Sequence, residues 1–303
     1  MLHPLLKSTT TTTDILQEFT QYIQQIGYSK SSQYQIPKAI KEFLRYAAEP
    51  NIKKIKQNDI LNFYNYLQNR PHKRKETVLS ETFVNQHMYA LKVFFNWLEQ
   101  TQQIKTNPIS NLKFKRPKAN PREPLSQKEV TQLFESAITA KETAILHLFY
   151  SCGLRRTEAE NLNTSDIHFT QNLLYVREGK GAKRRAIPIT ETVKRDLESY
   201  LLDTRTQIQE TRQGADKEPF MTNIRGKRMK GDSYNDALKK LVAKSQISSL
   251  NTQISLHHLR HSIATHLLEN GLSIEFVRDF LGHSHLEATQ IYAKVFKHQL
   301  KNL

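Results

Sequence analysis

His257, Arg260 and His261 stand three and four residues apart in the stretch Ser255-Leu-His-His-Leu-Arg-His-Ser-Ile-Ala-Thr-His-Leu-Leu-Glu-Asn-Gly271. On a helix this spacing brings the three side chains together on adjacent turns of one face. An imidazole and a guanidinium so paired hold a phosphate from two directions, the guanidinium through charge-assisted and potentially bidentate hydrogen bonds. Leu256, Leu259, Ile263 and Leu267 form the buried stripe expected on another face, and Gly271 ends the helix. Six of the twelve histidines lie between His257 and His285. A metal site there is the poorer reading, because His261 and His266 are five apart and His258 projects away from His257.

The elements that must position these residues are mostly helical. Downstream, Ile274, Val277 and Leu281 give a helix that closes at Gly282. Ser284 with Glu287 is a capping box for a last amphipathic helix from about His285, which carries Ala288, Ile291 and Val295 on its apolar side and bears Tyr292. Upstream, Ser126 and Glu129 form another capping box, with Val130, Leu133, Phe134 and Ala137 behind it. A helix of about Lys141 to Cys152 stops at Gly153, and a short one begins within Leu154-Arg155-Arg156-Thr157-Glu158. Residues 173–177 and 184–189 have strand composition around a glycine-containing turn, so a β-hairpin with Lys180 at its tip is expected. Helical patterning returns from Val193 to Leu202 and from Tyr234 to Val242. The polar stretch between, from Arg205 to Lys230, reads as loop.

The N-terminal part shows helical periodicity and no strand signal. Ile15, Phe19, Tyr22, Ile23 and Ile26 lead to Gly27, and Ile40, Phe43, Leu44 and Ala47 follow. Asp59 opens a third helix with Ile60, Tyr64 and Leu67, and Ala90, Val93, Phe94, Trp97 and Leu98 mark a fourth. An all-α bundle over about 14–112 is expected, preceded by a frayed threonine run, Thr9 to Thr13. Residues 113–125, with proline at 117, 121 and 124, read as a basic linker to a second domain over 126–303.

The chain has 303 residues, 45 Lys and Arg against 29 Asp and Glu, and a net charge of +16. That length suits two domains, and the charge suits a polyanionic partner, nucleic acid before others. The excess is densest before Ser126, with 19 basic against 9 acidic residues. Lys113, Lys115, Arg116 and Lys118 in the linker, and Lys183 and Arg184 beside the hairpin tip, are candidate contacts to a DNA backbone. Arg185 is assigned the same surface role. The single cysteine, Cys152, excludes an intramolecular disulfide and a cysteine-rich zinc site, which fits a reducing cytoplasm. No run approaches eighteen apolar residues and Met1 to Lys7 is too short for a signal peptide, so a soluble, cytoplasmic protein is expected.

Taken together, Gly153-Leu-Arg155 with Glu158, Gly179-Lys180-Gly181, His257-x-x-Arg260-His261, Leu281-Gly-His283, and Tyr292 nine positions later resemble the signature of the tyrosine recombinases, the phage-integrase type of DNA strand-transfer enzyme. Leu256 to Val295 resembles the Xer-type branch most, with departures at Leu256, Thr157 and Lys294, where proline, serine and histidine are usual. The resemblance implies a mainly α fold with a small β-hairpin or sheet in the C-terminal domain. By the same resemblance that domain would be the tyrosine-recombinase catalytic domain, and an N-terminal SAM-like helical bundle would bind DNA at the recombination core. It implies specific double-stranded DNA as partner and a tetramer in the synaptic complex, without cofactor or metal. No Gly-x-x-x-x-Gly-Lys-Ser/Thr loop is present, in keeping with chemistry that uses no ATP.

The resemblance also distributes roles. A free phenol, with a pKa near 10, is a poor nucleophile at neutral pH unless cations crowd the phosphate it attacks. Arg155 and Arg260 would grip the non-bridging oxygens as charge builds in the transition state. His257 would accept the phenolic proton or bind phosphate, His283 would donate to a non-bridging oxygen, and Lys180 would protonate the departing 5′-oxygen. Tyr292 would then hold the DNA as a 3′-phosphotyrosine. Glu158 and His261 support the site. The apolar tail residues Val295, Phe296 and Leu300 would dock in a neighbouring protomer. Other readings are a DNA-binding protein of the same fold without catalysis, and a type IB topoisomerase, which acts as a monomer. The combination of Arg155, Lys180, His257, Arg260, His283 and Tyr292 favours the recombinase.

Overall fold

Thr11 caps the first helix, α1 (Thr12–Gln25): its hydroxyl accepts from the Asp14 amide at 3.2 Å, and the Asp14 carboxylate accepts from the Thr11 amide at 2.9 Å. Thr11 to Thr13 therefore start a helix where a frayed tail was expected, because a threonine followed three residues later by a carboxylate satisfies two otherwise orphaned amides. The computed structural model describes residues 11–48, 51–72, 77–115, 123–177, 184–245, 247 and 254–282. The chain divides into two compact units, Met1–Asn120 and Pro121–Leu303.

In the first unit α1 is followed by α2 (Lys30–Ala47), α3 (Gln57–Asn69) and α4 (Glu81–Gln100). Phe19, Phe43, Phe63, Phe94 and Phe95 are buried where the helices meet. Phe19 meets Phe94 edge-on at 5.1 Å between centroids and Phe43 meets Phe63 at 5.2 Å, the geometry aromatic quadrupoles favour. The chain beyond α4 stays anchored to this unit: Phe114 packs on Tyr64 at 4.9 Å and Lys115 pairs with Glu81 at 3.2 Å.

In the second unit Leu125 is buried and doubly tied: its amide donates to Ser262 Oγ and its carbonyl accepts from His266 Nε2, both at 2.8 Å. The Ser126–Glu129 capping box starts α5 (Gln127–Glu135). Next, α6 (Ala140–Leu146) runs on as a π-helical turn, His147–Ser151, and stops at Gly153, whose φ is +56°. A Cβ on Gly153 would lie 3.0 Å from a Leu281 methyl and 3.2 Å from the Phe280 ring, so both the turn and the close approach require glycine. After it comes α7 (Arg156–Asn161). Arg228 caps α7, its guanidinium donating to the carbonyls of Glu160 and Leu162 at 2.9 and 3.3 Å.

The strands β1 (Ile167–His168), β2 (Leu173–Val176) and β3 (Arg185–Pro188) form an antiparallel sheet in that order. Leu174 faces Ile187, and Val176 faces Arg185 at the last pair before the turn. β1 was not anticipated, being two residues long. The turn itself, with Lys180 and Lys183, lies outside the described residues.

Helix α8 (Glu191–Ser199) continues through a π-helical segment, Tyr200–Arg205, into α9 (Thr206–Thr211), so the stretch expected as loop from Arg205 begins as helix. The rest of that stretch buries Phe220, Met221 and Met229 in the core. Three helices complete the described chain: α10 (Gly231–Ser245), α11 (Leu256–Glu269) and α12 (Ile274–Leu281). No helix among the described residues is long and apolar enough to cross a membrane.

The stripe expected on α11 is corrected. Leu256 and Leu259 are buried, but so are His258, Arg260, Ser262, Ala264, Thr265, His266 and Leu268, while Ile263 and Leu267 are half-buried. A helix surrounded by packing on most sides has no single apolar stripe, and its polar residues are buried with hydrogen-bond partners. One such partner set is that of His266, whose ring takes the Tyr150 hydroxyl at 2.8 Å on Nδ1 and the Leu125 carbonyl on Nε2.

Candidate active site

Glu158, on α7, is buried, and guanidinium groups meet it from three elements. Arg185 of β3 donates to both carboxylate oxygens, Nη1 to Oε1 at 3.0 Å and Nη2 to Oε2 at 2.8 Å. Arg155, just ahead of α7, donates Nη1 to Oε1 at 2.7 Å and its backbone amide to Oε2 at 2.8 Å. Arg260 of α11 brings Nη1 to 3.9 Å from Oε2. Burial alone would raise the Glu158 pKa. The Arg185 hydrogen bonds and charge, helped by those of Arg155, overcome it and hold the carboxyl at about 2.

The same arginines meet the end of α12, where the last carbonyls have no partner within the helix and carry the negative end of its dipole. Arg185 Nε takes the carbonyl of Phe280 at 2.9 Å, Arg260 Nη2 that of Leu281 at 2.6 Å, and Arg155 Nη2 that of Gly282 at 2.9 Å. Arg260 Nη1 also donates to the Gly153 carbonyl. Three consecutive carbonyls thus seat three cations at the residues that directly precede His283. Gly282 closes α12 with φ +65°, and a Cβ there would lie 3.0 Å from Arg185 Nη1.

Arg155 and His257 share one open cleft of about 220 Å³, lined also by Leu154, Arg156, Asn235, Ser255 and Leu256. His257 is exposed, and 20% of the Arg155 side chain is exposed. Arg260, expected beside His257 on an open helix face, has a side chain only 1% exposed and lies behind Arg155 among the carbonyls. His261 is half-buried on α11. Of the candidate backbone contacts, Lys113, Lys115 and Arg184 are exposed. Arg116, Lys118, Lys183, Lys180, His283 and Tyr292, with the expected last helix and tail, lie outside the described residues.

Two residues escaped the sequence reading. Arg185 was assigned to the surface, but its side chain is 8% exposed and pairs with Glu158. The signal was the strand alternation: Arg185 shares a face with Ile187, which is fully buried, while Arg184, Ala186 and Pro188 are exposed. Asn235 of α10 enters the cleft with no sequence signal.

A buried carboxylate thus gathers three guanidiniums beside a cleft that His257 lines, in a helical unit with a small antiparallel sheet. The chain belongs to the phage integrase family, whose model matches residues 123–299, and its residues 15–105 match the family's N-terminal SAM-like domain. It is thus a site-specific tyrosine recombinase of Xer-like type. The chain is 32% identical over 256 residues to the tyrosine recombinase XerD of Oceanobacillus iheyensis, covering 82% of this chain and 81% of that one. It is 31% identical over 290 residues to XerA of Pyrococcus horikoshii, covering 95% and 91%. A crystal structure of a lambda integrase tetramer bound to a Holliday junction shares the fold, with a TM-score of 0.73 at 18% identity, covering 94% of this chain and 78% of that one.

Proposed function

We propose that the protein cuts and rejoins double-stranded DNA at specific sites, with Tyr292 as nucleophile and Arg155, Lys180, His257, Arg260 and His283 as the groups around the phosphate. The Tyr292 oxygen attacks the scissile phosphorus as His257 takes its phenolic proton, the bond to the 5′-oxygen breaks, and Lys180 delivers a proton to that oxygen. The product is a 3′-phosphotyrosyl link that keeps the phosphodiester energy. The 5′-hydroxyl of a partner strand reverses the step, and neither ATP nor metal enters the balance.

One observation carries the reading. Arg155 faces the cleft that His257 lines, and Arg155 and Arg260 are tied to the carbonyls immediately before His283. Arg155 meets a non-bridging oxygen directly. Arg260, whose side chain is 1% exposed, adds its charge from behind, where solvent screens it little. Glu158 orients these cations, and His261 supports them from the same helix as Arg260.

Residues 14–112 act in this reading as the core-binding domain, 126–303 as the catalytic domain, and 113–125 as the basic linker, with Lys113, Lys115, Arg116, Lys118, Lys183 and Arg184 on backbone phosphates. Four protomers synapse two duplexes in the cytoplasm, each passing its tail, Phe296 included, to a neighbour.

The test is a nicked duplex carrying the site that the protein itself enriches from a random duplex pool, incubated without metal or ATP and run on a denaturing gel. Wild type should give a covalent protein–DNA band and Tyr292→Phe none. A band that survives Tyr292→Phe removes Tyr292 from the role. A native-gel shift with no covalent band from wild type points to a binding protein.

A further inference from the structure

Arg185 has no part in the proposed chemistry, yet its side chain makes three hydrogen bonds within the cluster. It spans Glu158 with both Nη atoms, holds the Phe280 carbonyl with Nε, and lies against the Cα of Gly282. Glu158 in turn holds Arg155 by side chain and by backbone, and Arg155 closes the ring on the Gly282 carbonyl. Every member of this ring is fixed by two others.

Charge balance does not call for this third arginine. Glu158 with Arg155 alone would be a neutral pair, and burying excess charge costs free energy that a well-packed apolar side chain avoids. One carboxylate among three guanidiniums leaves a net positive centre behind the cleft, which suits an anionic ligand with a developing charge. Arg185 also decides where the carboxylate goes. While it occupies both oxygens, Glu158 stays 3.9 Å from Arg260, outside direct hydrogen-bond distance. Without it, Arg260 is the next cation in reach, and the carboxylate would neutralise a phosphate-binding group.

We propose that Arg185 is a positioning residue for strand cleavage: through Glu158 it sets the place of Arg155 and keeps the carboxylate off Arg260, and through the Phe280 carbonyl it fixes the chain that leads into His283. It touches no DNA in this role, so its loss acts on the chemical step and leaves binding alone. The inference rests on the reading of Arg155 and Arg260 as phosphate contacts.

The test compares wild type, Arg185→Lys, Arg185→Met and Glu158→Gln on the self-enriched nicked duplex, measuring DNA affinity and the single-turnover rate of covalent-band formation separately. Lysine keeps the charge but not the planar fork that spans a carboxylate, so rescue should be partial. Arg185→Lys should bind DNA within about twofold of wild type and cleave about tenfold slower; Arg185→Met should cleave about a hundredfold slower at similar affinity, as misplaced catalytic groups do. Combining Arg185→Met with Glu158→Gln should cost little beyond the worse single change, since the pair acts as one unit. Cleavage by both folded variants at the wild-type rate overturns the proposal, as does a loss of affinity that accounts for the whole loss of rate. If Arg185→Met does not fold, Arg185→Lys carries the test, and failure of both to fold makes the residue structural and overturns it. A wild-type protein that shifts the duplex without cleaving it removes the underlying reading and the proposal with it; wild-type cleavage with unaffected variants removes the proposal alone.

Discussion

Both carboxylate oxygens of Glu158 are held by the guanidinium of Arg185, 27 residues away in sequence, at 3.0 and 2.8 Å. The pair joins the helix that follows Arg155, α7, to the strand β3. Its energetics can be read by pH as well as by mutation.

The carboxyl is held at about 2 when folded, against 4.5 for the ordinary group, because Arg185 and Arg155 outweigh the cost of burial. Between these values the unfolded chain binds the extra proton, so the stabilisation is present above pH 4.5 and is lost as pH falls towards 2. Its size is on the order of 3 kcal/mol. Urea unfolding between pH 6 and pH 2.5 should show a steep loss in wild type, and a shallower one in Glu158→Gln, which starts from a lower stability. Parallel slopes in the two proteins would contradict this account.

Gly282→Ala places a Cβ 3.0 Å from Arg185 Nη1 and 3.1 Å from Arg185 Cδ, at a φ of +65°. The left-handed backbone alone costs about 1–2 kcal/mol, and the contact pushes Arg185 off Glu158. Reduced thermal stability and slower cleavage at unchanged DNA affinity are expected together.

His266 is kept neutral, burial lowering its pKa more than Glu269 and the Leu125 carbonyl raise it. Its Nδ1 accepts from Tyr150, whose hydroxyl burial pushes up to about 12, so protonating the ring breaks that bond. His147, lowered by burial against Asp196, behaves alike. For both, the unfolded chain takes up the proton first, so stability is full above about pH 6.5 and declines as pH falls below it. His266→Gln, which still donates to Leu125, should flatten the decline between pH 6.5 and 5 in urea titrations, leaving only the share of His147.

Lys113 is exposed at the end of the first unit. If it neutralises a phosphate, Lys113→Ala weakens binding equally on all sequences and reduces the slope of log affinity against log salt by about 1. Titrations at several salt concentrations give the slope directly, and an unchanged slope takes Lys113 off the DNA.

What sequence conveyed best was local. The Ser126–Glu129 box, the stop at Gly153 and the strand pairing that sets Val176 opposite Arg185 each depend on residues close in sequence, and each stands where the residues implied. Thr11 with Asp14 belongs to the same class, but its threonine neighbours gave it the look of a tail. Helix α9 was hidden because Thr206-Gln-Ile-Gln-Glu-Thr211 has a single large apolar residue and follows a π-helical segment that upsets the period.

The site was legible in its residue types and illegible in its depth. Arg260 carries the right chemistry for an open face, and only the packing of α11 on most sides turns it inward. Arg185 sits in the run Lys183-Arg184-Arg185, where alternation along a short strand separates an exposed cation from a buried one. The Phe280, Leu281 and Gly282 carbonyls have no residue-type signature, since every residue but its side chain offers the same acceptor.

Those three carbonyls come late in the order of synthesis. Arg155 leaves the ribosome 127 residues ahead of Gly282, and Arg185 leaves it 95 ahead of Phe280. Domains assemble as the chain emerges, N-terminal parts first. A polypeptide broken off before residue 280 therefore carries Arg155, Glu158, Arg185 and Arg260 without the seat that holds the guanidiniums together. Translation that stops short of residue 280 leaves the three guanidiniums with Glu158 but without the carbonyls that fix them, so this cluster assembles only when nearly the whole unit has been made.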